Sequence, residues 1–302
     1  MKHLYLVVLI ALSSLNLKSQ WSFDFGGTLG ATNYLGDIGN GVGNGRKFIS
    51  DVQLTKTRWN VGAFARYKIK PKVSLRLAVD YIRLEGDDKL SPSPVRRMRN
   101  FNFRNDIYNV GLTAHYFFYE NNDLGKTYRF KNGFRLYIFA GLGGFYSNPK
   151  TYYKGTWVAL QPLATEGYKY KKFVIDIPMG IGAYFTIAKR HRIGVELNYR
   201  KTFTDYLDDI SGQYPKDPGN DYMRGLILRR TELTPAQIGD NTEIAMSHDW
   251  GAKRGEVKNK DAFFAFSFSY SFVIKGKSNF LTVKNTGYYN KNRKVRKVKR
   301  KY

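Results

Sequence analysis

The sequence predicts an all-β chain: an eight-stranded antiparallel transmembrane barrel of the outer-membrane kind, followed by a disordered basic C-terminal tail. Three observations predict it. Eight segments alternate large apolar residues with small or polar ones, aromatic residues gather near the ends of those segments, and short connections alternate with long ones. Successive side chains of a strand point to opposite faces, so a period of two builds one apolar wall and one polar wall.

The segments run in order along the chain. In the first, Trp21, Phe23, Phe25, Leu29 and Ala31 alternate with Ser22, Asp24, Gly26, Thr28 and Gly30. The second sets Trp59, Val61, Ala63, Ala65 and Tyr67 against Asn60, Gly62, Phe64, Arg66 and Lys68. The third sets Val73, Leu75, Leu77, Val79 and Tyr81 against Ser74, Arg76, Ala78 and Asp80. In the fourth, Tyr108, Val110, Leu112, Ala114, Tyr116 and Phe118 oppose Asn109, Gly111, Thr113 and His115. The fifth, Arg135 to Tyr146, is mixed, because Tyr137 and Phe139 sit opposite Leu136, Ile138, Ala140 and Leu142. The sixth places Phe173, Ile175, Ile177, Met179, Ile181, Ala183 and Phe185 against Asp176, Pro178, Gly180, Gly182 and Tyr184. The seventh sets Ile193, Val195, Leu197 and Tyr199 against Gly194, Glu196, Asn198 and Arg200. The last, DAFFAFSFSYSFVI over 261–274, has Phe264, Phe266, Phe268, Tyr270 and Phe272 on one wall and Ala265, Ser267, Ser269 and Ser271 on the other.

A soluble barrel or sandwich would turn the apolar wall inward, whereas a membrane barrel turns it toward lipid. Many segments reach ten residues, the length that a tilted membrane strand needs and longer than the ordinary soluble strand. The polar wall also carries glycines mid-strand: Gly26, Gly62, Gly111, Gly141, Gly180 and Gly194. Glycine weakens a solvated strand, but inside a narrow barrel it leaves room for long charged side chains. The turns KIKPK (68–72) and AKRHR (188–192) are short, and the seventh connection, 207–258, is the longest. Short periplasmic turns and long outer loops are the asymmetry of such barrels.

Residues 1–20, with Lys2 and His3 ahead of an apolar run from Leu4 to Leu12, read as an export signal. The barrel then takes residues 21–274 and the basic tail 275–302. The chain has no cysteine, which excludes disulfides, thiolate metal sites and a cysteine nucleophile. A formal charge of +26 would ordinarily suggest nucleic acid, but export argues against that partner. The tail concentrates the charge: its 28 residues hold eleven Lys and Arg and no acid.

Eight strands enclose a lumen that side chains fill, so a wide pore is not expected. Asp24, Asp80, Asp176 and Glu196 are expected to pair there with Arg66, Arg76 and Arg200, with His115 as a hydrogen-bonding neighbour. In the seventh connection, His248-Asp249 and the acids Asp205, Asp208 and Asp209 could supply a hydrolase at the outer rim only if they converge. The expectation is that they are solvated loop residues. The acidic run from Asp205 lacks the spacing of a calcium loop, and neither GNGVGNG nor GLGG precedes a helix as a phosphate cradle does. No catalytic, cofactor or metal residue is assigned. With an even strand count the tail hangs in the periplasm. There Arg293, Lys294, Arg296, Lys297, Lys299, Arg300 and Lys301 would dock an acidic partner, aided by the turn residues Lys68, Lys70, Lys72, Lys189, Arg190 and Arg192. Attraction to anionic lipid is the competing use of such charge.

Three stretches carry a resemblance: RKTFTDYLDDISGQY (200–214), YLGDIG (34–39) and KNKDAFFAFSFSYSF (258–272). They resemble the PorG family, outer-membrane barrels of the type IX secretion system. The resemblance implies an accessory, non-enzymatic role in protein export and association with the periplasmic ring of that machine. It makes Thr204, Asp205, Tyr206, Leu207, Asp208 and Asp209 a conformational motif. A general small barrel with an adhesive or envelope-stabilising role, and an outer-rim hydrolase, are the alternatives.

Overall fold

The computed structural model describes residues 22–39, 52–121, 133–217, 219–257 and 259–275. The export segment 1–20, Trp21 at the head of the first alternating segment, most of GNGVGNG and the basic tail from residue 276, with its seven docking residues, lie outside the described residues. The chain divides into a unit Asp24–Val273 and a second formed by Met1–Phe23 and Ile274–Tyr302. Of the second, only residues 22, 23, 274 and 275 are described.

Each alternating segment forms a strand. The strands are β1 (Ser22–Leu35), β2 (Arg58–Lys70), β3 (Val73–Asp87), β4 (Asn102–Asn121), β5 (Gly133–Tyr146), β8 (Phe173–Ile187), β9 (His191–Thr202) and β10 (Ala262–Lys275). The two short strands between β5 and β8 are β6 (Lys150–Tyr153) and β7 (Thr156–Ala159). Pairing runs β3-β2-β1-β10-β9-β8-β5-β4, and β4 returns to β3, so eight strands close into a ring with no free edge. The β6–β7 hairpin extends β4 above the ring through the pair Arg104 and Lys150.

Register fixes the walls. On β10, Phe266, Phe268 and Tyr270 sit opposite Leu197, Val195 and Ile193, while Ser267 and Ser269 sit opposite Glu196 and Gly194. The first set lies outside, with Phe268 59% exposed, and the second is buried inside. The same division holds round the ring: Leu29, Val79, Val110, Leu142, Ile175 and Leu197 face out, and Thr28, Asp80, Asn109, Gly143, Asp176 and Glu196 face in. An apolar exterior around a charged interior inverts the order of a soluble barrel, and it is the arrangement of a barrel that spans a membrane. No helix among the described residues is long and apolar enough to cross one.

The two ends differ. At one end β2 and β3 are joined by Pro71-Lys72 alone, and β8 and β9 by Ala188, Lys189 and Arg190. At the other end the long connections fold over the mouth. They carry α1 (Pro94–Arg99), the β6–β7 hairpin, α2 (Asp221–Ile227), α3 (Pro235–Ile238) and α4 (Thr242–Ser247). Near this mouth the inward wall of the strands becomes apolar. Ile82, Leu84, Phe103, Ile107, Phe145 and Phe263 pack there with Leu207, Ile210, Leu226, Ile227 and Leu160 from the connections. The loops are thus a cap with its own core, and Asp205, Asp208, Asp209 and His248 are buried in it, which corrects the expectation of solvated loop residues, while the Asp249 side chain stays half exposed. Apolar residues of both parts leave water only by meeting each other.

A carboxylate cluster beneath the loop cap

Inside the barrel the predicted charges are brought together. Arg76 Nη1 donates to Glu196 at 2.6 Å, and Arg66 lies 3.6 Å from Glu196 and 3.8 Å from Asp24. Arg200 bridges Asp80 at 2.8 Å and Asp176 at 3.2 Å. Tyr137 donates to Glu196, and Asn109 to Asp176 at 3.3 Å. His115 lies 3.0 Å from the Thr113 hydroxyl, and its ring stacks against those of Tyr137 and Phe139. Arg192 requires a correction. Instead of decorating the turn, it points inward from the second residue of β9 and pairs with Asp24 at 2.8 Å. Glycines make the room: a Cβ on Gly62 would stand 2.1 Å from Asp80 Oδ1, and one on Gly143 2.3 Å from Asp176 Oδ1. The cavity left among Arg76, Asp80, Glu196 and Arg200 measures about 30 Å³, room for a water or two.

The stretch Thr204–Asp209 turns the chain from β9 into the cap, and each of its side chains is spent on structure. Thr204 accepts the amide of Tyr206 at 3.1 Å on its hydroxyl and that of Asp261 at 3.0 Å on its carbonyl. Asp205 accepts the Ser211 hydroxyl at 2.6 Å. Tyr206 stacks on Tyr170 with centroids 4.4 Å apart and donates to Glu166. Leu207 is buried in the cap core, and its amide donates to Asp261 Oδ2 at 2.9 Å. Asp208 accepts from Tyr34 at 2.8 Å and from the Ile210 amide at 2.9 Å. Asp209, in the left-handed region at φ 70°, accepts from Thr165 and Tyr170 and pairs with Arg254 at 3.4 Å.

These acids are buried, not solvated: Asp208 and Asp209 are 0% exposed and Asp261 1%. Burial pushes the Asp205 carboxyl up to about 7 and that of Asp209 up to about 6, the latter against the pull of Arg254. Asp208 and Asp261 are raised well above the ordinary carboxylate range, first by burial and then by neighbouring acids. Asp37 is raised by burial and held down in part by Arg99.

The conceivable rim site does not assemble. His248 is buried, its Nε2 lies 2.8 Å from the carbonyl of Val95, and burial depresses its pKa. Asp249 pairs with Arg230 at 3.4 Å, and no described hydrogen bond joins His248 to Asp205, Asp208 or Asp209. A cavity of about 420 Å³ opens beside His248, lined by Asp37, Arg96, Arg99, Lys253 and Glu256 among others. Its cations are largely spent on protein acids: Arg99 holds Asp88 at 2.7 and 2.8 Å, and Lys253 holds Glu256 at 2.7 Å. Among the described residues, no group of acids and histidines has the geometry of a metal site.

Sequence reasoning missed the central contact of the cap, in which Tyr34 joins Asp208 and Asp261. The signal was present: YLGDIG supplies Tyr34, TDYLDD supplies Asp208, and KNKD supplies Asp261. The three stretches on which the resemblance rests meet at one point.

Several solved structures are similar in fold. The N-terminal β-barrel domain of Pseudomonas aeruginosa OprF is 11% identical, with 84% of this chain and 97% of that one covered and a TM-score of 0.35. Ail, the attachment invasion locus protein of Yersinia pestis, solved with a heparin analogue, is 10% identical over 85% and 100%, with a TM-score of 0.36. The outer membrane protein OprG of P. aeruginosa is 8% identical over 85% and 97%, with a TM-score of 0.37. No protein of curated function matches the chain. The profile of DUF6089, a domain of unknown function, matches residues 2–228. The chain belongs to the DUF6089 family.

Proposed function

We propose that this protein is a non-enzymatic outer-membrane barrel that serves a protein-secretion apparatus of the type IX kind. It sits in outer-membrane lipid by its apolar exterior and binds its partners through its ends. The observation that carries this reading is the convergence of the three PorG-like stretches on one buried contact, above a lumen that charged side chains fill. A filled lumen suits a structural and docking role better than transport, and the acids of the cap are committed to hydrogen bonds and ion pairs. Partner docking falls to the turn end, where Lys70, Lys72, Lys189 and Arg190 are exposed, and to the basic residues 293–301. Periplasmic ring components of acidic character are the matching partners, with the tail in the periplasm.

The test is a pull-down from mildly solubilised outer membranes. The full chain is compared with one ending at Lys275, after heat-shifted gel mobility shows equal barrel assembly. Recovery of periplasmic secretion components with the full chain alone supports docking by the tail. Recovery with both moves docking to the barrel ends. Recovery with neither overturns the secretion reading and leaves an envelope-stabilising or adhesive barrel.

A further inference from the structure

We infer that Tyr34, Asp208 and Asp261 form a latch that shares one carboxyl proton and fastens the loop cap to the barrel mouth, so that the cap loosens when that proton leaves. Tyr34 Oη lies 2.8 Å from Asp208 Oδ2 and 2.5 Å from Asp261 Oδ1, both hydrogen-bond distances. A phenol has one hydrogen and can donate to only one of them. The other carboxylate oxygens are engaged by backbone donors: Asp208 Oδ1 by the Ile210 amide and Asp261 Oδ2 by the Leu207 amide, each at 2.9 Å. The second O–H in the latch therefore belongs to a carboxyl. One acid donates to Tyr34, and Tyr34 donates to the other.

The surroundings favour keeping that proton. Asp37, from the segment after β1, and Asp205, from the head of the long connection, add negative charge to the latch. The cation facing it is Arg99 of α1, which already grips Asp88 with two hydrogen bonds. Farther out, Arg96 and Asp88 face Asp37, and Lys260 and Glu166 face Asp205. All three latch residues are buried, so ionising both acids would place two like charges on one hydroxyl without water. The latch ties the end of β1, the residue before β10 and the long connection together, its partners lying 174 and 227 positions apart in the chain. It does not depend on the secretion role.

The direction of the pH effect follows. The latch acid holds its proton more tightly in the folded cap than in the open chain. Its contribution is full below the ordinary carboxylate range and declines as pH rises toward the folded value. The test is amide hydrogen exchange of the full chain in lipid nanodiscs at pH 5 to 9, corrected for the intrinsic exchange rate. The amides of Leu207 and Ile210 should lose at least tenfold protection across this range in the wild type and in Asp205→Asn, while mid-barrel amides hold steady. Asp261→Asn keeps an oxygen for the Leu207 amide and offers a permanent N–H to Tyr34, so its loss should be at least tenfold smaller than that of the wild type, the remainder coming from Asp205 and Asp209. Asp208→Asn should do the same by the equivalent exchange, as an independent variant. Constant protection in the wild type, or an equal fall in both Asn variants, overturns the latch.

Discussion

The mid-lumen and the cap both bury acids, but they neutralise them by opposite means. In the lumen, Glu196, Asp24, Asp80 and Asp176 each lie within 4 Å of an arginine, and glycines on neighbouring strands make way for the long side chains. Beneath the cap, Asp205, Asp208 and Asp261 are held by hydroxyls and backbone amides, and among the described residues an arginine pairs only with Asp209 of the motif acids. The first region is a salt-bridge network fixed by strand register. The second relies on protons, and so on pH. The same carboxyl group is thus buried in two ways, by ion pairing in the wall and by hydrogen bonding at the mouth.

The largest expected effect breaks the lumen network. Glu196→Gln keeps the shape but removes the anion facing Arg66 and Arg76, and unpairing a buried charge costs about 3–5 kcal/mol. Urea unfolding, followed by loss of heat-shifted gel mobility, should show the drop. An unchanged midpoint would mean that the pairs contribute nothing net.

Phe268→Arg puts a charge on the lipid wall and should cost ~2–4 kcal/mol near the membrane midplane. Ser269→Arg tests the other wall, where Ser269 Oγ lies 2.9 Å from the place a Gly194 Cβ would take. Its cost is overpacking, ~1–3 kcal/mol. The same unfolding assay separates them, and a larger loss for Ser269→Arg would contradict the assigned lipid face. Gly62→Leu forces a Cβ against Asp80 and should likewise cost ~1–3 kcal/mol while pulling Asp80 from Arg200.

The smallest effect on the barrel itself is expected from the pH response of the cap through Asp205 and Asp209. Both carboxyls are raised, to about 7 and about 6, so the folded cap binds protons that the open chain has released. Cap stability should fall as pH climbs from about 4 to about 7 through these groups, while barrel unfolding changes little. Hydrogen exchange in the segment 205–211 reads the slope, and cap protection that increases with pH would refute it.

The barrel was legible because its signal is local. A period of two over ten or more residues marks each strand, and the polar wall names Arg66, Arg76, Arg200 and their acids directly. Even the mixed segment around Tyr137 and Phe139 resolves once both rings are seen stacking on His115 inside. Arg192 was missed because strand ends cannot be placed to the residue by pattern, and one position moved it from turn to lumen. The cap was illegible for a different reason. Its helices have four to seven residues and its hairpin strands four, too short to show a period. Its core joins Phe103, Leu207 and Phe263, far apart in the chain, so their burial is tertiary information. Only the quoted family-like stretches marked the latch residues, and they gave no hint that the three meet.

A barrel with lipid outside and charge inside can be tested through the absence of cysteine from the chain. Phe268→Cys and Ser269→Cys are spin-labelled singly in bilayers, and relaxation by oxygen and by a water-soluble nickel chelate is compared. A lipid-facing position 268 should show strong oxygen and weak nickel relaxation, and the packed position 269 little of either. Equal relaxation at the two positions, or nickel access at position 268, would contradict it.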